Sequence, residues 1–257
     1  MMRIGCCAYS YRQYLQKGSM KLEDFISLCH VLGLDGVELT AYYFESEDHS
    51  YLKSLKRHAF ANGMHISGTA IGTNFCQPDR GERERQVEMA KRWIDISVIL
   101  GAPVMRVFAG GVPKGHTEEE AFSWAMECIR ECVEYGEEKG VVVALENHGG
   151  ITSTAEQVEK FFSSLKSPYF GLNLDFGNFG RGYQDIEKVA KYAVTTHAKT
   201  HYRSPSGSVE LDYEKIFGIM DSVGYRGYIN IEYEEAEDPK TAVPRFAKRL
   251  LEIRGRH

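Results

Sequence analysis

Four side chains that can bind a divalent cation lie in the C-terminal half of the chain, each at or near the end of a separate apolar run. They are Glu146, Asp175, His197 and Glu232. Short apolar runs that alternate with helical patterns are typical of buried parallel strands. Three carboxylates and one imidazole suit a hard or borderline divalent ion. The pattern therefore predicts a metal site if the strands carry all four side chains to one place.

A carboxylate at the end of an otherwise apolar strand needs a charged partner or a metal ion. Glu146 follows the apolar run from Val141 to Leu145, and an unpaired buried carboxylate is costly. For any one of the four residues, the alternative is a structural salt bridge or hydrogen bond. Four such residues on four consecutive strands favour the metal site over a structural polar network.

The elements that would position these residues alternate along the whole chain. Apolar runs predict strands at Arg3–Ala8, Gly36–Thr40, His65–Ile71, Val104–Ala109, Val141–Glu146, Phe170–Phe176, Thr195–Lys199 and Tyr228–Glu232. Amphipathic patterns between them predict helices, among them Leu22–Leu32, Arg83–Leu100 and Glu118–Lys139. No Pro-rich or Ser-rich linker interrupts the series, so residues 1–257 are predicted to form a single domain.

This alternation predicts the α/β class and a single (β/α)8 TIM barrel, a parallel eight-stranded barrel with outer helices. An open, doubly wound sheet is the alternative. However, the G-x-G-x-x-G motif of dinucleotide-binding sheets is missing after the first strand, where the chain reads SYRQYLQKGS. Barrel enzymes carry their catalytic residues at the C-terminal ends of the strands. The barrel therefore brings the four side chains into one site, whereas the open sheet leaves them scattered.

Charge and composition exclude several classes of function. The formal net charge of −5 argues against a nucleic-acid surface, because phosphate binding depends on clustered Lys and Arg. No apolar run is long enough for a signal segment or a membrane span. The protein is therefore expected to be cytoplasmic, with neither nucleic-acid nor membrane partners. The six cysteines lack metal or disulfide spacing and are expected to be reduced core thiols.

Three short motifs in the C-terminal half resemble a known family. They are LEN at Leu145–Asn147, LDFGN at Leu174–Asn178 and HAK at His197–Lys199. In this order they resemble the xylose isomerase-like barrels, in particular the sugar phosphate isomerase/epimerase group that includes ketose 3-epimerases and inosose dehydratase-like proteins. The resemblance extends from GVEL at Gly36–Leu39 to IEYE at Ile231–Glu234. It is specific for the superfamily and not for a substrate.

The resemblance implies a role for each matching residue. The four residues named first would bind one divalent metal ion, with Mn²⁺ as the first choice and Mg²⁺, Co²⁺ or Zn²⁺ as alternatives. Glu146 and Glu232 would also form the catalytic acid–base pair, and Arg203 would contact substrate oxygens. Two positions depart from the ketose 3-epimerases, where Asn178 replaces a histidine and Thr152 replaces a glutamate. Both departures argue against ketose 3-epimerase specificity and leave the metal ligands intact.

Further residues are candidates for substrate contacts. Glu38 ends the second strand, where a rim salt bridge is the alternative. His148 precedes two glycines, which let the backbone approach a ligand closely. Arg106 lies in an apolar strand and needs an anionic partner, either a core carboxylate or the substrate. Lys199 shares a strand face with the imidazole ligand, where an ion pair is equally compatible. Asn178 is the remaining candidate.

The predicted reaction is the isomerisation or epimerisation of a small sugar or sugar derivative by proton transfer through an enediolate. An inosose-type dehydratase with the same metal ligands is the alternative. An apurinic-site endonuclease would need a larger cluster of metal ligands and a basic DNA-binding face. The acid–base pair argues against a non-catalytic sugar-binding barrel. The expected partner is a small-molecule sugar, and the sequence is compatible with a homo-oligomer.

Overall fold

The computed structural model describes residues 1–256. Its strands are β1 (Arg3–Cys7), β2 (Gly36–Thr40), β3 (His65–Ala70), β4 (Val104–Val107), β5 (Val142–Glu146), β6 (Phe170–Asp175), β7 (Ala193–Ala198), β8 (His201–Ser204), β9 (Gly207–Glu210) and β10 (Tyr228–Ile231). Its α-helices are α1 (Arg12–Leu15), α2 (Leu22–Val31), α3 (His49–Ala61), α4 (Arg80–Leu100), α5 (Glu118–Lys139), α6 (Ala155–Ser164), α7 (Tyr183–Val189), α8 (Tyr213–Ser222) and α9 (Pro239–Arg254). Short 3-10 turns cover Ala8–Tyr11, Ala41–Tyr43 and Ala190–Tyr192.

Eight strands of the described chain close into one barrel, in the order β1-β10-β7-β6-β5-β4-β3-β2, and all neighbouring strands are parallel. Helices separate successive barrel strands along the chain. The predicted TIM barrel is therefore confirmed, and its strands lie within a few residues of the predicted ranges. The parallel register sets Asp175 beside His197 across β6 and β7. It also sets Cys7 beside Glu38 across β1 and β2.

The pair β8 and β9 forms an antiparallel hairpin outside the barrel. The sequence prediction contained no strands here, because the segment is short and polar and lacks the apolar alternation of a half-buried strand. The hairpin lies between β7 and α8, on the side of the barrel where β7 ends. Arg203 stands on this hairpin opposite Ser208.

Polar residues at the helix starts determine where several helices begin. Thr117 accepts a hydrogen bond from the Glu120 amide, and the Glu120 carboxylate accepts one from the Thr117 amide at 2.8 Å. This reciprocal pair satisfies amides that have no partner inside the helix. Asp79 accepts from the Glu82 amide at 2.8 Å, so α4 begins at Arg80, earlier than predicted.

Alternation along β6 separates apolar side chains of the core from polar side chains inside the barrel. On β6, Leu172 and Leu174 belong to the apolar core. Asn173 and Asp175 are also fully buried, but Asn173 donates to a carboxylate inside the barrel. The six cysteines are free and buried, as predicted. Among residues 1–256, the helices do not combine the length and apolar character that crossing a membrane requires.

Candidate active site

The four predicted metal ligands meet at one end of the barrel. Glu146 and Asp175 are the last residues of β5 and β6, His197 is the next-to-last residue of β7, and Glu232 directly follows β10. Parallel strands end on the same side of a barrel, so the four side chains converge. One ligand atom from each residue lies within 4.8 Å of the others, and all four residues are buried. The arrangement can hold a metal ion.

The two ring nitrogens of His197 face different partners. Nε2 lies 2.8 Å from Glu38 Oε1. Nδ1 lies 3.3 Å from Glu232 Oε2 and 3.4 Å from Glu146 Oε2. Burial opposes a positive imidazole, but the carboxylates of Glu232, Glu38 and Glu146 together raise the pKa of His197 well above its ordinary value. Nδ1 is therefore the nitrogen that faces the other predicted ligands.

The carboxylate of Glu146 is held by a cation and two amides. Arg106 Nε lies 3.2 Å from Oε2, and Asn173 Nδ2 donates to the same oxygen at 2.9 Å. Asn178 Nδ2 donates to Oε1 at 3.4 Å. Burial alone would raise the pKa of Glu146, but Arg106 and then His197 outweigh it and lower that pKa. Glu146 is thus held as a buried anion.

Asp175 is the predicted ligand that has a buried oxygen without a hydrogen bond. Its Oδ1 accepts from the Gly177 amide at 2.7 Å. Its Oδ2 is buried and accepts no hydrogen bond, although Lys199 Nζ lies 3.1 Å away. Burial raises the pKa of Asp175 to about 7 despite the nearby ammonium of Lys199. This oxygen has an ion-pair partner and no hydrogen bond, so it could accept a metal ion if the ammonium moved away.

Lys199 lies between the predicted ligands and the outer residues of the site. Besides Asp175, its Nζ contacts Glu232 Oε2 at 3.5 Å, Glu234 Oε2 at 2.6 Å and Asn178 Oδ1 at 3.2 Å. Burial would lower the pKa of Lys199, but the surrounding carboxylates raise it. The side chain is therefore an ammonium ion in a nearly closed space.

A cavity of about 430 Å³ opens beside this cluster. It is lined by His148, Gly177, Asn178, Lys199, His201, Arg203, Ser208, Glu234 and Glu235. Arg203 is exposed on the hairpin, and His148 is exposed with its ring 4.1 Å from the ring of Phe108. The guanidinium of Arg106 stacks on the same Phe108 ring at 4.0 Å. The cavity wall carries both positively and negatively charged side chains, which can donate or accept hydrogen bonds. Such a wall suits a polar ligand.

The structure places the predicted contact residues at three depths. Glu38 is the middle residue of β2, so the prediction that it ends the strand is wrong. Glu38 and Arg106 are buried inside the barrel against His197 and Glu146. Asn178 and Lys199 reach both the predicted ligands and the cavity. His148 and Arg203 line the cavity wall. Thr152 is one of the two residues that differ from the ketose 3-epimerases. Its hydroxyl accepts a hydrogen bond from the His148 amide and so holds the loop that carries His148.

Sequence reasoning missed Asn173, Glu234 and His201. Asn173 lies two residues before Asp175, and Glu234 lies two residues after Glu232. Residues two apart on a strand point to the same side, so Asn173 shares a strand face with Asp175. This period of two could have identified Asn173 from the sequence. His201 belongs to the hairpin that the sequence did not predict.

The charge balance of the barrel interior tests whether a divalent ion fits. Among the described residues, the buried carboxylates at this end are those of Glu38, Glu146, Asp175 and Glu232, and the buried cations are Arg106 and Lys199. With the imidazole neutral, as metal binding through Nδ1 would require, and with Lys199 still beside the cluster, the carboxylates exceed the cations by two charges. Net charge is costly in a space closed to water. One divalent ion would balance the excess, so the residues present fit such an ion.

Comparisons with known proteins agree with this architecture. A family model described as xylose isomerase-like TIM barrel matches residues 26–252. A Haemophilus influenzae protein with the provisional name L-ribulose-5-phosphate 3-epimerase is 23% identical over 272 aligned positions, covering 94% of each chain. A 2-oxo-tetronate isomerase of the same organism is 22% identical over 180 positions, covering 65% of this chain and 68% of that protein.

The solved structures show the same fold. The structure of D-psicose 3-epimerase with D-tagatose from Clostridium cellulolyticum H10 superposes with a TM-score of 0.79 at 16% identity. It covers 98% of this chain and 97% of that chain. At this level of identity the likeness establishes the barrel fold only.

Proposed function

Because this chain belongs to the xylose isomerase-like TIM barrel family, we propose that it is a divalent-metal-dependent isomerase or epimerase of a small sugar or sugar derivative. The observation that carries the proposal is the convergence of Glu146, Asp175, His197 and Glu232 within 4.8 Å at the C-terminal end of the barrel. The sugar epimerase and isomerase names of the relatives support the same class of substrate.

These four residues would hold the metal ion, His197 through Nδ1 and Asp175 through the oxygen that accepts no hydrogen bond. When bound, such an ion supplies a Lewis acid that polarises a substrate carbonyl and lowers the pKa of the adjacent C–H. Mn²⁺ suits three carboxylates with one imidazole, and Mg²⁺, Co²⁺ or Zn²⁺ are alternatives.

Glu146 and Glu232 are the proposed acid–base pair. Each lies on a different strand, and both present a carboxylate oxygen to Nδ1 of His197 from the barrel wall. One carboxylate would remove a proton from the carbon next to the carbonyl, which leaves an enediolate of the substrate. The other would return a proton to a different carbon or to the opposite face. Nearby cations lower the pKa of both glutamates, so both are ionised before substrate binds. The returning glutamate would therefore first take a proton from solvent, and the first glutamate would release the abstracted proton to solvent.

The cavity wall would orient the sugar. Arg203, His148 and Asn178 line the cavity beside the ligand cluster, and their side chains can hydrogen-bond to hydroxyl oxygens. Phe108 and Arg106 stack beneath His148 and would keep its ring in place. Closely spaced donors of this kind fix the reacting carbon relative to the acid–base pair.

The proposal is tested by incubating the protein with ketoses, aldoses, sugar phosphates and inososes in D₂O with Mn²⁺. NMR then detects both product and carbon-bound deuterium. Proton transfer through an enediolate predicts deuterium on the carbon next to the carbonyl. Product without carbon-bound deuterium would refute proton transfer, and loss of water from an inosose would replace the isomerase with a dehydratase.

A further inference from the structure

The ammonium of Lys199 lies where it must compete with a bound metal ion. Its Nζ is 3.1 Å from Asp175 Oδ2 and 3.5 Å from Glu232 Oε2. Divalent ions bind carboxylate oxygens at about 2.0–2.6 Å, so an ion held by both oxygens would lie within a few ångströms of this ammonium. Two cations at such a short separation repel each other strongly where little water screens their charges. An ion held by both oxygens would therefore require the ammonium to shift away from Asp175 and Glu232.

A second set of partners holds the same ammonium on the outer side. Glu234 Oε2 lies 2.6 Å from Nζ, and Asn178 Oδ1 lies 3.2 Å from it. The Glu234 side chain is 35% exposed, whereas that of Asp175 is fully buried. Lys199 and Glu234 both line the cavity of about 430 Å³. The ammonium can therefore move outward into open space and keep a counter-ion.

On the basis of the metal site proposed above, we propose that the Lys199 ammonium stands in for the cation in the metal-free protein and that Glu234 keeps hold of it when the metal binds and moves it outward. Lys199 would thus be a positioning residue that lowers metal affinity, and Glu234 would reduce the cost of moving it. The displaced ammonium would lie beside Asn178 and Arg203, where the sugar is expected to bind.

Calorimetric titration of the metal-stripped protein with Mn²⁺ or Co²⁺ measures this competition directly. Lys199→Met should bind the ion at least about tenfold more tightly, because it removes a competing charge. Glu234→Gln should bind it at least about fivefold more weakly, because Lys199 then has no outer counter-ion. Lys248→Met is the matched control, since Lys248 is an exposed lysine of α9 paired with Glu252. Its metal affinity should equal that of the wild-type protein.

The double variant shows whether Glu234 affects metal affinity through Lys199 or only through its own negative charge. If Glu234 acts through Lys199, Glu234→Gln should change the affinity by less than about twofold in the Lys199→Met background. Circular dichroism checks folding, and Lys199→Gln serves as a second variant with the same expected direction. The absorption spectrum of bound Co²⁺ gives a readout that does not depend on turnover.

Two results would overturn the inference while sparing the metal site. One is a Lys199→Met affinity within about twofold of wild type. The other is an equal effect of Glu234→Gln with and without Lys199. If neither the wild-type protein nor any variant binds the ions, the proposed function itself fails, and this inference fails with it.

Discussion

The carboxylate of Glu38 and the imidazole of His197 form a buried contact of 2.8 Å between side chains that are 159 positions apart in the chain. A carboxylate accepts hydrogen bonds, so this contact keeps a proton on Nε2. Nδ1 faces Glu146 and Glu232, and a metal ion bound there would displace the second proton of the imidazolium that the surrounding carboxylates favour. Metal-binding histidines are commonly oriented by a carboxylate in this way.

Glu38→Gln should weaken metal binding about 10–100-fold, because the amide orients the ring less strongly and lowers its basicity. Calorimetric titration with Mn²⁺ measures the change. Glu252→Gln, an exposed glutamate of α9, is the matched control and should leave the affinity as it is. An unchanged affinity in a folded Glu38→Gln protein would contradict the assigned role.

The purified protein should bind about one divalent ion per chain through the four converging ligands. Asp175→Asn or His197→Ala should weaken metal binding at least about tenfold, because each changes a proposed metal ligand. Loss of a residue that only hydrogen-bonds to a metal ligand already lowers metal affinity by about 10–100-fold. Elemental analysis after Mn²⁺ loading and desalting gives the stoichiometry. Absence of metal, together with a silent calorimetric titration, would refute the site.

Glu146→Gln and Glu232→Gln should each reduce turnover by at least about 10²–10⁴-fold, because each removes a group that is proposed to transfer a proton. Arg203→Ala should mainly raise KM, since its proposed contact with the substrate would be the same in the ground and transition states. Steady-state kinetics on a substrate identified by NMR separates the two effects. Full activity of either glutamate variant would refute the acid–base assignment.

The loop that carries His148 should be more sensitive to substitution of Gly150 than of Gly149. Both have left-handed backbones, with φ of 73° at Gly149 and 54° at Gly150. A Cβ at Gly149 meets open space, whereas a Cβ at Gly150 would lie 2.1 Å from the Gly110 carbonyl oxygen. Gly149→Ala should therefore cost about 1–2 kcal/mol of unfolding free energy.

Gly150→Ala should cost at least about 1 kcal/mol more than Gly149→Ala, because the two loops must also move apart. Urea unfolding of both variants gives the comparison. Equal losses of stability would show that the close approach of Gly150 to Gly110 imposes no constraint.

The buried cysteines should react slowly with a thiol reagent in the native protein. Burial raises the pKa of Cys128 to about 11 and that of Cys76 to about 12. The reactive thiolate is therefore scarce at neutral pH, and access is blocked as well. Ellman's reagent should titrate all six thiols only after denaturation. Rapid reaction of a native thiol would contradict this packing.

Much of the fold follows from patterns that are local in the chain. Periods of two and of about 3.6 residues reveal strands and helices, and the polar residues at helix starts reveal several boundaries. The positions of Glu146 and Asp175 at strand ends follow from the same patterns, because the sequence alone shows where a charged residue ends an apolar run. The hairpin at β8 and β9 carries no such pattern, so it was not predicted.

Local patterns in the sequence determined the alternation of strands and helices, the barrel class and the identity of the four side chains that converge. Closure of the barrel decided which partners those side chains meet. Glu38 reaches His197, Arg106 reaches Glu146, and Lys199 enters the ligand cluster. Each of these contacts joins side chains on different strands or loops. Their distances depend on strand register and packing across the interior, which local sequence patterns do not encode.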